Sequence, residues 1–500
     1  MWNPLPYGRG SVLQTMPDSV QLLRILPEVL LSVFGTLVMV LDAVASERRK
    51  HWLGILSLAG IYGAAVAALA AYANSGPAFH DMIAVDAAAT FFRLLLLAIG
   101  FLVVLGSMSY LKRDHLPQGE YYALVLFSLA GQGLMVSSVE LIMIFLGLEI
   151  SSLSTYVLAG YRRDDARSGE SALKYFFLGS FATAFLLYGV ALIYGEVGST
   201  KLAAVRQFLA KDTSGGTLLA VAAGLLFVGL GFKVSAAPFQ IWTPDVYQGA
   251  PSPVAAFLST GPKAAAFAVL LRVSFTVLTP SISAWNWVLW MSALLSMTIG
   301  NFGALVQTNV KRLLGYSSIA HAGYILVAFA SRTEIGAAAA MFYLAAYGFM
   351  NVGAFLVVSH LSAGEQHVTL DDYAGLGRRQ PALAALLAIF LLSLVGIPLT
   401  GGFFGKFYIF RAAINADLIG LAVLGLLNSA VAAYYYLKIL VVVYMHEPRD
   451  DSRVEPLPAG LAVTLVLAAA AVFLLGIFPG TALDFATRSA AGWSTVLSAR

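Results

Sequence analysis

The sequence predicts an all-α polytopic membrane protein with about fourteen transmembrane helices, two of them broken. Three observations carry this reading. Of 500 residues, 59% are hydrophobic and only 11% are charged, against about 25% charged in soluble domains. Apolar runs of spanning length recur along the chain. Two of the runs are overlong, and each combines proline with a lysine far from either end.

Taken in order, the predicted spans are 20–44, 51–73, 88–110, 119–137, 139–160, 170–194, 217–247, 251–277, 286–305, 312–330, 334–361, 381–414, 417–445 and 458–478. The run 217–247 carries Lys233, Pro238 and Pro244; the run 381–414 carries Pro398 and Lys406. Proline lacks an N–H and frees a carbonyl one turn back. Freed backbone at membrane depth survives only where protein buries it or a wet cavity meets it. Both runs are therefore expected to be discontinuous helices beside an ion path, as in transporters.

Lysine and arginine in short loops set the orientation. The richer set, which includes Arg48, Arg49, Lys50, Arg113, Arg163, Lys311, Arg379, Arg449 and Arg453, is expected on the cytoplasmic side. The poorer set includes Arg9, Arg24, Lys201, Arg332 and Arg500, which puts both termini outside. The N-terminus lacks a charged start and cleavage site, so the first helix is expected to be retained. Trp285, Trp287 and Trp290 read as an interfacial belt.

Several function classes are excluded. The chain has no cysteine, which rules out disulfides and cysteine-ligated iron–sulfur or zinc sites. No HExxH, GxxxxGK[ST] or strand-bound GxGxxG occurs, so the chain is expected to bind no metal, ATP or NADH. The net charge of +4 is spread over loops and forms no nucleic-acid surface.

Five ionisable residues fall near the centres of their segments: Glu149, Lys233, Lys263, His321 and Lys406. A charge there costs on the order of 3 kcal/mol, and snorkelling relieves it only near a membrane edge. One such residue is as readily half of a structural ion pair. Five at similar depth suggest a row of protonatable groups that trade protons as neighbouring charge and burial change. The interval between Lys233 and Lys406 nearly repeats that between Glu149 and His321.

Secondary candidates are Lys174, which could snorkel, and Tyr316, Ser317, Ser318 and Tyr324, which could hold water or simply pack. Glu28, Asp42 and Glu140 read as edge charges. Arg93, Arg272 and Lys438 read as snorkelling cations, and Asp245 as a turn or cap residue.

Four stretches also carry a resemblance: GFKVSAAPFQIWTPDVYQGAPSPVAAFL, GLEISSL around Glu149, TNVKRLLGYSSIAHAGY around His321 and GIPLTGGFFGKFYIF around Lys406. They are similar to the antiporter-like membrane-arm subunits of respiratory NADH–quinone oxidoreductase (complex I), and among these to subunit N. The resemblance runs over residues 20–480. Lysine at position 406 favours subunit N over subunit M, which has glutamate there. About twenty residues follow Phe478, too few for the lateral helix of subunit L.

The resemblance implies two inverted five-helix repeats, 111–277 and 278–446. A three-helix scaffold, 1–110, precedes them, and a last helix with its tail, 447–500, follows. It implies that Glu149, Lys233, Lys263, His321 and Lys406 form a hydrophilic proton-translocating axis. It further implies a non-redox subunit of NADH:quinone oxidoreductase in a bacterial inner membrane, bound to other membrane-arm subunits and lipid. NADH, FMN and iron–sulfur clusters would belong to partner subunits, and quinone would be used by the complex but not bound here. A subunit of a cation/proton antiporter complex is the alternative, because related antiporter subunits share the TPDVYQGAP stretch. A structural spacer with idle charges is the third reading.

Overall fold

Side-chain caps cut the apolar chain into helices. Asp86, Glu140, Asp165, Asn309 and Thr333 each accept a hydrogen bond from a first-turn N–H of the helix that follows, which satisfies a donor that has no partner inside the helix. The computed structural model describes residues 18–46, 50–211, 217–276, 284–448 and 455–498. The loop cations Arg9, Arg48, Arg49, Arg449, Arg453 and Arg500 lie outside the described residues.

The chain starts with α1 (Ser19–Val44) and α2 (His51–Ala73). A short antiparallel hairpin follows, β1 (Gly76–Ala78) and β2 (Ile83–Val85), with Gly76 opposite Val85. Then come α3 (Ala87–Arg113), α4 (Gly119–Ser137), α5 (Leu141–Ala159), α6 (Ala166–Val197), α7 (Leu202–Lys211), α8 (Thr217–Val234), α9 (Trp242–Gly249), α10 (Ser252–Leu258) and α11 (Gly261–Thr276). The second half holds α12 (Ala284–Leu305), α13 (Val310–Ser331), α14 (Glu334–Leu361), α15 (Leu376–Arg379), α16 (Pro381–Val395), α17 (Gly401–Asn415) and α18 (Ile419–Met445). Helices α19 (Ala459–Ile477) and α20 (Pro479–Ser498) end the chain.

Among the described residues, twelve helical segments are long and apolar enough to cross a membrane. The predicted span 119–137 is α4, and 381–414 is divided into α16 and α17. A helix apolar on all sides can face protein or lipid: α13, α14 and the α10–α11 segment are buried almost throughout, whereas α1, α18 and α19 turn large apolar side chains outward. Two neighbouring pairs pack backbone to backbone through glycine. A Cβ on Gly131 would lie 2.6 Å from the Ser151 nitrogen of α5, and one on Gly300 would lie 2.5 Å from the Ala320 nitrogen of α13. Small residues give membrane helices this close approach.

The overlong runs are interrupted. α8 stops at Val234 and α9 begins at Trp242; α16 stops at Val395 and α17 begins at Gly401. Pro238 and Pro398 lie in these gaps. Pro244 does not: it is the third residue of α9, where a missing N–H costs no helical bond. The expected single span 251–277 is also interrupted, at Ser259 and Thr260, whose hydroxyls donate back to the Ala256 carbonyl. Such back-bonding competes with the helix ladder. Past Phe478 the expected tail is instead α20. It turns Ala486, Ser489 and Ala490 inward and sets Phe485 against Phe91 of α3, ring centres 5.7 Å apart.

A buried Lys–His–Tyr axis as the candidate functional site

The first break needs partners for its free backbone, and α12 supplies them. Ser296 Oγ accepts from the Ala237 N–H at 2.8 Å, and Ser292 Oγ donates to the Ala237 carbonyl at 2.7 Å. Thr243 donates to Ser235 across the gap, and the Trp242 indole donates to the Phe232 carbonyl. With its backbone satisfied, the break leaves the Lys233 ammonium to an aromatic box. Its Nζ lies 5.0 Å from the Tyr156 ring centre, 5.1 Å from Tyr175 and 5.8 Å from Phe232. The ring quadrupoles attract the cation. One hydroxyl, Tyr156 Oη, is 3.4 Å from Nζ.

Glu149 lies two turns before Tyr156 on the same face of α5. It is half-buried, and its Oε1 has no hydrogen-bond partner among the described residues. No ion pair joins it to Lys233; the lysine meets tyrosines instead.

Lys263 of α11 donates to Ser318 Oγ at 2.5 Å and to the Ser318 carbonyl at 3.2 Å. Tyr347 donates to the same hydroxyl at 2.8 Å. Asn351, one turn on in α14, bridges Tyr347 at 3.0 Å and Ser259 at 2.7 Å. His321, one turn after Ser318 on α13, shares hydrogen bonds with Tyr343 at 2.6 Å and Tyr436 at 3.1 Å. Tyr436 also pairs with Ser317. The Tyr324 ring stands between two bases: its centre is 5.7 Å from the His321 ring and 4.8 Å from Lys406 Nζ.

Lys406 treats its break differently. Its ammonium donates to the free carbonyls of Leu394 at 3.0 Å and Val395 at 2.8 Å, and to Ser429 Oγ at 2.9 Å. Lys233, Lys263, His321 and Lys406 are 7%, 1%, 1% and 6% exposed. None reaches a membrane edge by snorkelling. Among the described residues their direct partners are hydroxyls, carbonyls and rings, and the Glu149 carboxylate acts on Lys233 through charge without a bond. The row can therefore carry charge that is not locked in ion pairs, as proton exchange requires.

The other candidates fall elsewhere. Lys174 is half exposed and ion-paired with Glu170 at 2.7 Å and Asp245 at 2.8 Å. Asp245 is thus a bridge and not merely a turn residue, for Arg312 takes its other oxygen at 2.5 Å. Tyr316 lies off the axis, beneath the Arg312 guanidinium. Ser318 and Tyr324 are on it. Glu28 is no edge charge and Arg93 does not snorkel. They form a buried two-bond pair at 2.8 and 2.9 Å. Arg272 pairs with Asp86 at 2.9 Å, and Glu140 caps α5. Lys311, read as a loop cation, is buried and bonded to Glu365 at 2.7 Å.

Sequence reading missed Tyr156, Tyr175, Tyr343, Tyr347, Asn351, Ser429 and Tyr436. A signal existed for three of them. Tyr343, Tyr347 and Asn351 recur every fourth residue through an otherwise apolar α14, a polar stripe on one helix face. Among the described residues, no group of three His, Asp or Glu is arranged to hold a metal ion.

Fold and site together define a polytopic helical membrane protein with a buried protonatable axis between interrupted helices. The family model described as NADH:quinone oxidoreductase/Mrp antiporter, transmembrane, matches residues 138–432, and the chain belongs to that family. It is 58% identical over 471 residues to NADH-quinone oxidoreductase subunit N 1 of Solibacter usitatus, covering 94% of this chain and 97% of the relative. A chain of respiratory complex I from Thermus thermophilus with bound aureothin superposes with TM-score 0.80 at 38% identity, covering 92% of this chain and 99% of that one. A chain of the Mrp complex from Dietzia sp. shares the fold with TM-score 0.83 at 22% identity, covering 94% and 97%.

Proposed function

We propose that this chain is a proton-translocating membrane-arm subunit, of the subunit N type, in a bacterial NADH–quinone oxidoreductase. The observation that carries the reading is the set Lys233, Lys263, His321 and Lys406, buried without a direct carboxylate bond, of which the last three are linked through Ser318, Tyr347, Tyr343, Tyr436 and Tyr324. Glu149 stands at one end. Protons exchange along this row, and electron transfer takes place elsewhere in the complex. NADH, FMN and iron–sulfur clusters are assigned to partner subunits, and quinone to a site outside this chain.

The reading includes fourteen crossings: a scaffold, 1–110, two inverted five-helix repeats, 111–277 and 278–446, and a last helix with its tail, 447–500. Three correspondences support the repeat. The glycine-packed pair α4–α5 matches α12–α13, Glu149 on α5 matches His321 on α13, and the break after α8 matches the break after α16. Both termini are assigned to the outer side from the loop charges. Reporter fusions after Lys50, Arg163 and Arg379 should then report cytoplasm, and a fusion after Phe478 the outside. A cytoplasmic reporter at Phe478 would refute the count.

The functional test is Lys263→Ala in the assembled complex in proteoliposomes. The number of protons moved per electron should fall while electron transfer persists under uncoupler. An unchanged ratio at matched assembly would count against the axis. The family description also spans Mrp antiporters; transport that requires sodium in the same vesicles would favour that reading.

A further inference from the structure

We propose that the buried pair Lys311–Glu365 is the station through which protons enter the axis, and that the Tyr247 hydroxyl hands them to Lys263. This rests on the reading of Lys263 as a proton carrier. Glu365 ends a short 3-10 turn that follows α14, and it is only 5% exposed. Its carboxylate accepts from Lys311 at 2.7 Å, Tyr110 at 2.9 Å, the Ser252 N–H at 2.7 Å and the Ser252 hydroxyl at 2.9 Å. Tyr110 in turn accepts from Arg162 at 3.4 Å, and the Arg162 side chain is 20% exposed. This is a built polar site with one edge at solvent.

Three helices connect it to the axis by their periodicity. Lys311 and Ser318 are seven residues apart on α13, Ser252 and Ser259 seven apart from the start of α10 to the residue that caps its end, and Asn351 and Ser362 eleven apart from α14 to the residue that caps its end. Each interval is close to a whole number of turns, so each pair shares a face. The outer members gather at Glu365, where Ser252 also meets Ser362 at 3.3 Å. The inner members gather at Lys263. At 1.5 Å per residue the two levels are about 10 Å apart along α13 and α10 and about 16 Å apart along α14.

Tyr247 occupies the interval. Lys311 also donates to the Ala250 carbonyl, and Tyr247 lies one turn before Ala250 on α9. Its ring packs edge-on against Phe355, which lies between Asn351 and Ser362 on α14. Its Cβ packs on α13 at Gly315, one turn before Ser318, where a glycine Cβ would lie 3.6 Å from it. Tyr247 is fully buried, and neither its Oη nor the Oδ1 of Asn351 has a hydrogen-bond partner among the described residues. Leaving buried polar groups unpaired costs stability, so a purely structural site would favour phenylalanine here. A relay needs the hydroxyl, because it must take one proton and give another.

The step balances. A proton reaches the Glu365 carboxylate from the Arg162 edge and passes to the Tyr247 hydroxyl, directly or through water. Each hydroxyl on the way releases its own proton as it accepts the next. The last proton adds to the free amine of Lys263, and Glu365 ends as a carboxylate again.

Tyr247→Phe in the assembled complex tests this against packing. If Tyr247 relays, the variant assembles as well as wild type and loses the same share of the proton-to-electron ratio as Lys263→Ala. If it only packs, stability is equal or higher and the ratio stays at the wild-type value, which would overturn the inference. Should Tyr247→Phe fail to assemble, Glu365→Gln decides at matched assembly: a wild-type ratio sinks the entry station, and a Lys263→Ala-like loss supports it. A wild-type ratio in Lys263→Ala would instead remove the axis reading itself.

Discussion

Lys406 of α17 donates from its ammonium to the Val395 carbonyl, 2.8 Å away, at the broken end of α16. The lysine thus does two things: it satisfies free backbone at membrane depth and it stands in the proton row. Substitutions can separate these. Lys406→Arg keeps donors for the Leu394 and Val395 carbonyls but stays protonated. It should assemble normally and pump poorly. Lys406→Met loses both roles and should also lower thermal stability, because each buried acceptor left unpaired costs about 1–3 kcal/mol. Proton pumping and melting of the assembled variants check this. Full pumping by Lys406→Arg would make the lysine an electrostatic post.

Glu149 and Lys233 are expected to act as one unit even though no bond joins them. Glu149→Gln and Lys233→Ala should each reduce pumping, and the double variant should be little worse than either single, as residues in one functional unit are non-additive. Tyr156→Phe removes the hydroxyl that accepts from Lys233 and should give a smaller loss. Pumping measured at matched assembly decides. Losses that multiply would mean independent roles.

The Glu28–Arg93 pair is predicted to be structural. Its side chains are 4% and 1% exposed and hold α1 to α3. Arg93→Ala strands a buried carboxylate and should cost about 3–5 kcal/mol, seen as lower melting temperature and lower yield of complex. The complex that does form should pump as wild type. A normal yield with lost pumping would place this pair in the mechanism.

Glu365 gives a pH prediction. Burial alone would raise its carboxyl, but the Lys311 charge and the hydrogen bonds from Lys311, Ser252 and Tyr110 outweigh it and hold the group below its ordinary value. A depressed carboxyl stabilises the fold above its unfolded pKa and loses that contribution as pH falls toward the folded one. The melting gap between wild type and Glu365→Gln should therefore stay constant from neutral pH to about 4.3 and narrow only below it. A gap that closes between pH 7 and pH 5 would contradict the pairing.

The sequence alone determined the membrane class, most helix positions and the five central ionisable residues. Those features are local. A run of apolar residues, a proline within it and a charge at its midpoint each have a cost that is fixed by bilayer thickness and backbone chemistry, whatever the neighbours are. Only the tertiary structure decided partners. Glu28 and Arg93 are 65 residues apart and read as unrelated edge charges. Lys311 reads as a loop cation until Glu365 folds over it. Lys233 is boxed by tyrosines because α6 brings Tyr175 to the end of α8. Whether a buried charge is paired, boxed by rings or bonded to broken backbone depends on which helices touch, and helix contact is set by long-range packing that no single segment encodes.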